Sequence, residues 1–334
     1  MAITIKDVAK LAGVAPSTVS RTCKDSPSIS EKTKERVRLA MEELGYIPNF
    51  QATNLVCKNS KTIGIILPPT TEFTYQNTFF LEVIHGISNC CNKNKYSNTI
   101  IAGNSNEEVI ETINLVIKSG KVDGFIVLFS KKDNKITKFL NENNYSFSMI
   151  GTPVENLKSN LYIDNDNIKA GYDATKYLID LGHKKIGFFC NNSSQNFVKE
   201  RKIGYLKALK ENGIEFEENL YFEKSDFETT DVNFLNFVLY PTAILAIDDI
   251  LALSLEKFIL SLNIKIPEDI SIFCFNNSLI TELGDLTCID INNYELGFSS
   301  CQQIIDYLNH SLHSKKIIVN HRIIERKSCK KIKK

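Results

Sequence analysis

The sequence predicts a small all-α head followed by an α/β body of two doubly wound parallel-sheet subdomains. Three observations lead there. The first 45 residues carry helical periodicity with capping signals. From Thr62 onward, short apolar runs alternate with longer amphipathic ones. Those runs are apolar on both strand faces, as parallel sheets covered on both sides require, and they are too numerous for one sheet. A chain of 334 residues is long enough for two to three units with proper cores.

The head divides into three helices. "TIKDVAKLA" starts after Thr4, a good N-cap, with Asp7 in the first turn and Val8, Leu11 and Ala12 as its core-facing stripe. Gly13 ends it. After a very short connection, Pro16 suits the first turn of a second helix. The third starts at Ser30, turns Val37, Ala40, Met41 and Leu44 to one face, and closes at Gly45. Two helices joined by a glycine-containing turn and braced by a third form a helix-turn-helix. In "GVAPSTVSRT", Val14 and Val19 turn inward and leave Pro16, Ser17, Ser20 and Arg21 outward. Short hydroxylated side chains let a helix lie deep in a major groove, and Arg21 is suited to a bidentate contact with guanine. A merely solvated face would favour Lys and Glu.

In the body, strands are expected at "IGIILP", "SNTIIAG", "DGFIVLF", "FSMIGT", "KIGFFCN", "AILAI", "SIFCF" and "CIDI". Ligands of such folds bind where strand C-termini meet loops. After the first strand comes "TEFTYQNTFF", with aromatic faces of the kind on which sugar rings stack. Phe79 and Phe80 are also placed to open the next helix and pack in the core. In "AIDDILAL", Asp249 is read as the helix cap; in "IDNDNIKAG", Asp166 and Asn167 are read as capping residues.

Composition excludes other classes. Net charge is +1, yet residues 1–62 hold ten Lys/Arg against six Asp/Glu, a basic head suited to phosphate. No stretch matches a membrane span, and "MAITIKDVAK" has charges where a signal peptide has its apolar core, so a cytoplasmic location is expected. The nine cysteines form no CxxC, and several sit in apolar strands, so they read as reduced buried residues. His310 and His313 lack a third ligand, and neither metal nor cofactor is expected. GxGxxG, GxxxxGK[ST], GxSxG and HExxH are all missing, so an enzyme is not expected. The basic tail, residues 326–334, is expected to be disordered.

"TIKDVAKLAGVAPSTVSR", "SEKTKERVRLAMEELGYIPN" and "TIGIILP" resemble the start of the LacI/GalR family of bacterial repressors, without gaps over about 65 residues and in patches as far as "IIERKS". The resemblance implies a periplasmic-binding-protein-like body and a division into head (1–47), hinge (48–61) and body (62–329). The first subdomain would take about 63–163 and 292–321, the second about 164–291 and 322–329. It implies DNA contacts from Thr4, Pro16, Ser17, Thr18, Ser20 and Arg21. Asn49, Ala52 and Leu55 would add contacts from a hinge helix that forms only on operator DNA, with Leu55 wedged into the minor groove. Effector contacts would come from Tyr75, Asn77, Phe79, Phe80, Arg201, Asp248 and Asn276. Expected partners are a near-palindromic double-stranded operator, a small sugar and a second copy of the chain, with no membrane.

Departures from the family pattern are specific. Ala15 stands where a capping Ser is usual, Thr53 where Arg is usual, and Asp248 where Asn is common. Asn276 stands where the family reads Phe-Asp. Within the family, "TYQNTFF", "IDNDN" and "VDGFIVLFS" look closest to maltose/maltodextrin-operon repressors of Gram-positive bacteria. The expected function is therefore repression of sugar-utilisation genes, relieved by maltose or a maltodextrin. The same parts serve a ligand acting as co-repressor, or a protein co-regulator. A sugar-transport protein would need a signal peptide and no DNA head, the reverse of this chain.

Overall fold

The computed structural model describes residues 3–23, 25–46, 60–69, 77–154, 161–223 and 232–332. It separates into two units, Met1–Ser60 and Lys61–Lys334.

In the first unit lie α1 (Ile5–Leu11), α2 (Pro16–Cys23) and α3 (Glu31–Leu44). The Thr4 backbone N–H and hydroxyl both donate to Asp7 Oδ2, at 2.8 and 2.7 Å, which holds the Asp7 carboxyl below its usual range. Ser30 caps α3, and Gly45 ends it at φ 61°. Val8, Ala9, Ala12, Val19, Val37 and Ala40 make the core. Leu11, expected in that core, is 46% exposed and Ala9 takes its place. α1 is only seven residues long and carries apolar residues at 8, 9 and 11, so the packing of α2 and α3 decides which of them turn inward.

The second unit contains two six-stranded sheets. The first is built from β1 (Thr62–Ile66), β2 (Ser97–Ile101), β3 (Gly124–Val127), β4 (Phe147–Ile150), β5 (Tyr162–Asn165) and β11 (Lys316–Val319). Its order is β11-β5-β4-β3-β1-β2, all parallel. The second contains β6 (Ile186–Cys190), β7 (Tyr221–Glu223), β8 (Ala243–Ala246), β9 (Ser271–Phe275), β10 (Thr287–Asp290) and β12 (Arg322–Ile324). Its order is β12-β10-β9-β8-β6-β7, with β12 alone antiparallel. Ile63 and Ile65 face one core and Ile66 the opposite one, which explains the unbroken apolar runs. Strands β5, β7, β11 and β12 were not expected from the sequence; they are three or four residues long and carry polar or charged positions.

The helices between them are α4 (Thr78–Asn94), α5 (Asn106–Lys118), α6 (Lys135–Glu142), α7 (Asn167–Asp180), α8 (Asn196–Glu211), α9 (Val232–Leu239), α10 (Asp249–Ser261), α11 (Leu279–Leu283) and α12 (Asn293–Leu308). Two helix pairs cross at backbone distance over glycines. A Cβ on Gly297 of α12 would lie 2.0 Å from the Val83 oxygen of α4, and one on Gly171 of α7 would lie 2.2 Å from the Arg201 oxygen of α8.

The chain passes between the sheets three times, after β5, after β10 and after β11. Asn165 stands at the first passage. Its Nδ2 donates to the carbonyls of Ile291 and Val319, at the other two, both at 2.9 Å.

The basic tail is ordered as far as Ile332, contrary to the expected disorder. Ser328, 3% exposed, exchanges hydrogen bonds with the backbone of Ile272 in β9, and Ile332 N donates to the Leu181 carbonyl at 2.9 Å. Backbone pairing and a buried serine outweigh the charge of the neighbouring lysines.

Candidate DNA-reading helix and ligand cleft

In the head, Pro16 occupies the first position of α2 and is exposed with Ser17 and Arg21. Thr18 and Ser20 are half-buried, so their hydroxyls lie on the flanks of the outward face. Arg21 has no ion-pair partner among the described residues. Ala15 offers only its backbone oxygen, accepting from Thr18 N (2.9 Å) and Val19 N (3.3 Å). The α2–α3 turn is fixed by Asp25 (φ 51°), whose carboxylate meets Lys34 Nζ at 2.9 Å and Arg38 Nη2 at 3.0 Å. The hydrogen bond from Lys34 holds the Asp25 carboxyl below its usual range. A short turn, an ion-paired brace and an exposed polar helix are the parts of a helix-turn-helix. Asn49, Ala52 and Leu55 lie outside the described residues, as does Tyr75.

In the second unit the candidate cleft gathers at Arg201, which is 4% exposed. Its Nε donates to Asn167 Oδ1 at 3.1 Å and its Nη1 to the Ile247 carbonyl at 2.9 Å. The guanidinium lies over the ring of Phe275 (4.0 Å to the centroid) and near that of Phe197 (4.9 Å). Asn167 Nδ2 donates to Asp164 Oδ1 at 3.0 Å, so one amide joins a cation to a carboxylate. Burial lowers the Arg201 pKa to about 10 and raises those of Asp164 and Glu200. Asp166 caps α7 through Lys169 N, as expected; Asn167 does not cap but orients Arg201.

The two aspartates at the start of α10 exchange their expected roles. Asp248 is the cap, Oδ1 accepting from Leu251 N at 2.7 Å, and burial pushes its pKa up to about 6. Asp249, expected to cap, is fully buried. It accepts from Asn276 Nδ2 at 3.1 Å, from the Ser278 hydroxyl, and from Thr78 Oγ1 at 3.3 Å. The helix starts one residue earlier than a cap at Asp249 would allow, and that shift decides which carboxylate turns to the backbone. Asn276 sits at φ 74°, a region Asn tolerates better than most residues.

Thr78 belongs to α4, whose sheet is the first, while Asp249 belongs to the second; their hydrogen bond joins the two subdomains. Asn77 caps α4 through Phe79 N (2.9 Å). Phe79 packs against the cores of both subdomains, whereas Phe80 packs against the first only, edge-on to Phe79 at 5.3 Å. Nearby, Asn293 Nδ2 donates to Glu82 Oε2 at 2.8 Å, and burial raises the Glu82 pKa. Sequence reasoning missed Asp164, Thr78, Glu82 and Asn293. Asp164 lies in a strand that was itself missed; the others sit on helices, where no pattern separates an inward-facing residue from a solvated one.

A helix-turn-helix head joined to a two-sheet body with a buried polar cluster between its sheets is the class of a DNA-binding transcriptional regulator with a periplasmic-binding-protein-like body. Residues 4–49 match the bacterial regulatory proteins of the lacI family, and residues 60–327 match the periplasmic binding proteins and sugar binding domain of that family. The chain belongs to the LacI family. It is 34% identical over 335 residues to the HTH-type transcriptional regulator MalR of Streptococcus pneumoniae, covering 98% of this chain and all of that one. A probable maltose operon transcriptional repressor malR from Staphylococcus aureus superposes at TM-score 0.73 with 27% identity, over 81% of this chain and 98% of that one. The lac repressor dimer bound to operator and an anti-inducer gives TM-score 0.79 at 22% identity, over 98% and 99%, a likeness of fold. No helix among the described residues is long and apolar enough to cross a membrane.

Proposed function

We propose that this chain is a cytoplasmic repressor of sugar-utilisation genes, released from its operator by a small sugar of the maltose or maltodextrin type. Residues 1–47 read the DNA, 48–61 form the hinge, and 62–329 bind the effector and pair two copies. Pro16, Ser17, Thr18, Ser20 and Arg21 contact bases or phosphates of each half-site, with Thr4 at the backbone. Asn49, Ala52 and Leu55 complete the centre. A two-fold dimer demands a near-palindromic operator.

The observation that carries the effector reading is Arg201, buried beside two phenylalanine rings and aligned by Asn167 near Asp164 and Asp248. Forked donors, carboxylate acceptors and aromatic faces together suit a ring with several hydroxyls. Asn276, Asn77, Phe79, Phe80 and Tyr75 complete the proposed set of effector contacts, as the family resemblance implies. Sugar closing the cleft changes the spacing of the two hinges and weakens operator binding, provided that it binds the released state better, by about 1–3 kcal/mol for a usual coupling. The test is a thermal-shift titration of the full chain with maltose, maltotriose, glucose and phosphosugars, followed by operator binding with the best ligand. A saturable rise for maltose, with loss of operator binding, supports the reading. Tighter operator binding would instead make the sugar a co-repressor. Silence across the panel would remove the sugar effector and leave the head untouched.

A further inference from the structure

An arginine in a ligand cleft is an obvious seat for an anion, and the surroundings of Arg201 oppose that use. Three carboxylates, Asp164, Asp248 and Glu200, lie near enough to stabilise the charge of the guanidinium. Asp164 reaches it through Asn167, which touches both at 3.0 and 3.1 Å. Asp248 follows directly on Ile247, whose carbonyl accepts from Nη1. Glu200 stands beside it on α8, held by Asn196 Nδ2 at 3.0 Å. On α4, Glu82 faces Asp249 and Asp290 across the cleft, and the cation paired with Asp290 is Arg322, whose side chain is 74% exposed. Among the described residues, Arg201 is therefore a buried cation outnumbered by carboxylates.

We infer that the cleft selects by charge: Asp164, Glu200 and Asp248 set the Arg201 pocket against anionic ligands, so that an uncharged polyol binds and its phosphorylated form is rejected. The inference rests on the sugar-effector reading and adds a class restriction to it. Hydroxyls satisfy both signs, accepting from guanidinium and donating to carboxylate. A phosphate satisfies only the guanidinium and is repelled by the carboxylates around it. In a site of reduced dielectric, each such repulsion is worth about a factor of ten or more in affinity.

The experiment measures dissociation constants by calorimetry for the full chain at pH 8, well above the Asp248 pKa of about 6. The ligands are two matched pairs, maltose with maltose 6′-phosphate and glucose with glucose 6-phosphate. The expected result is binding of a neutral member, with its phosphorylated partner about 100-fold weaker. Asp248→Asn, which keeps a capping side chain, and Glu200→Gln are each expected to narrow that ratio about tenfold. A merely structural role would change both affinities together and leave the ratio fixed, which overturns the inference. Equal or tighter binding of the phosphorylated member also overturns it and leaves the sugar cleft standing. No saturable binding by any of the four removes the sugar reading, and the charge selection with it.

Discussion

Gly171→Ala is a test of the packing that places Arg201. The new methyl would sit 2.2 Å from the Arg201 oxygen and 2.8 Å from its carbonyl carbon and Cα, where ordinary contact begins near 3.4 Å. Every obstructing atom is backbone, so no rotamer change relieves the overlap, and α7 and α8 must part by about 1 Å. Overpacking of this kind costs about 1–3 kcal/mol. Alanine returns up to about 1 kcal/mol of helix propensity, and the absence of a side-chain escape puts the clash at the upper end. A net loss near 2 kcal/mol lowers Tm by about 4–8 °C in a unit of this size. The displaced residue is Arg201 itself, so affinity for maltose is expected to fall about tenfold, or roughly 1.4 kcal/mol. Thermal melting and calorimetry check the two effects, with Lys207→Ala on the exposed side of α8 as the control. A Gly171→Ala variant whose Tm stays within about 1 °C of the parent, with unchanged sugar affinity, would refute the close crossing as the device that positions Arg201.

Other expectations follow from single features. The Asp248 pKa is raised from 3.8 to about 6, so the folded state holds this proton more tightly than the unfolded one. Its contribution to stability is therefore greatest below about pH 4 and is lost as pH rises to 6, by at most about 3 kcal/mol. Asp248→Asn is expected to gain Tm relative to the parent across that window; a difference that is flat from pH 4 to 7 would count against burial of the charge. Ala15→Ser supplies a hydroxyl at the N-cap of α2 and should stabilise the head by about 1 kcal/mol, read as tighter operator binding in fluorescence anisotropy; unchanged affinity would mean that α2 is already fully formed. Truncation before Ser328 removes hydrogen bonds to Ile272 and Thr287 and should lower stability by about 2–4 kcal/mol; a truncated chain melting with the parent would return the tail to disorder.

The head was legible because its signals are local. Thr4, Ser30 and Gly45 mark helix ends by their own chemistry, and Val8, Val19 and Val37 fall at helical spacing. Leu11 was misplaced because two turns of helix leave the choice of face to the neighbouring helices. In the body, long apolar strands were readable, but "YIDN" and "KIIV" earn their place in a sheet only from the strands beside them. The cleft was half legible. Arg201 and Asn276 stood out through the family resemblance, whereas the exchange of roles between Asp248 and Asp249 turned on a helix start displaced by one residue. The tail was misjudged because its lysines advertise solvent, while Ser328 between them is what the sheet holds.

The amide of Asn165 fastens all three strand passages at one point. Three separate threads could each slacken, and the halves of the body could then slide or wobble as well as bend. Riveted together, they leave a single axis to turn about, so work done on one half at the cleft arrives at the other as torque rather than being dissipated in shear. The stiffness of that joint would then set how small a ligand can still throw the switch.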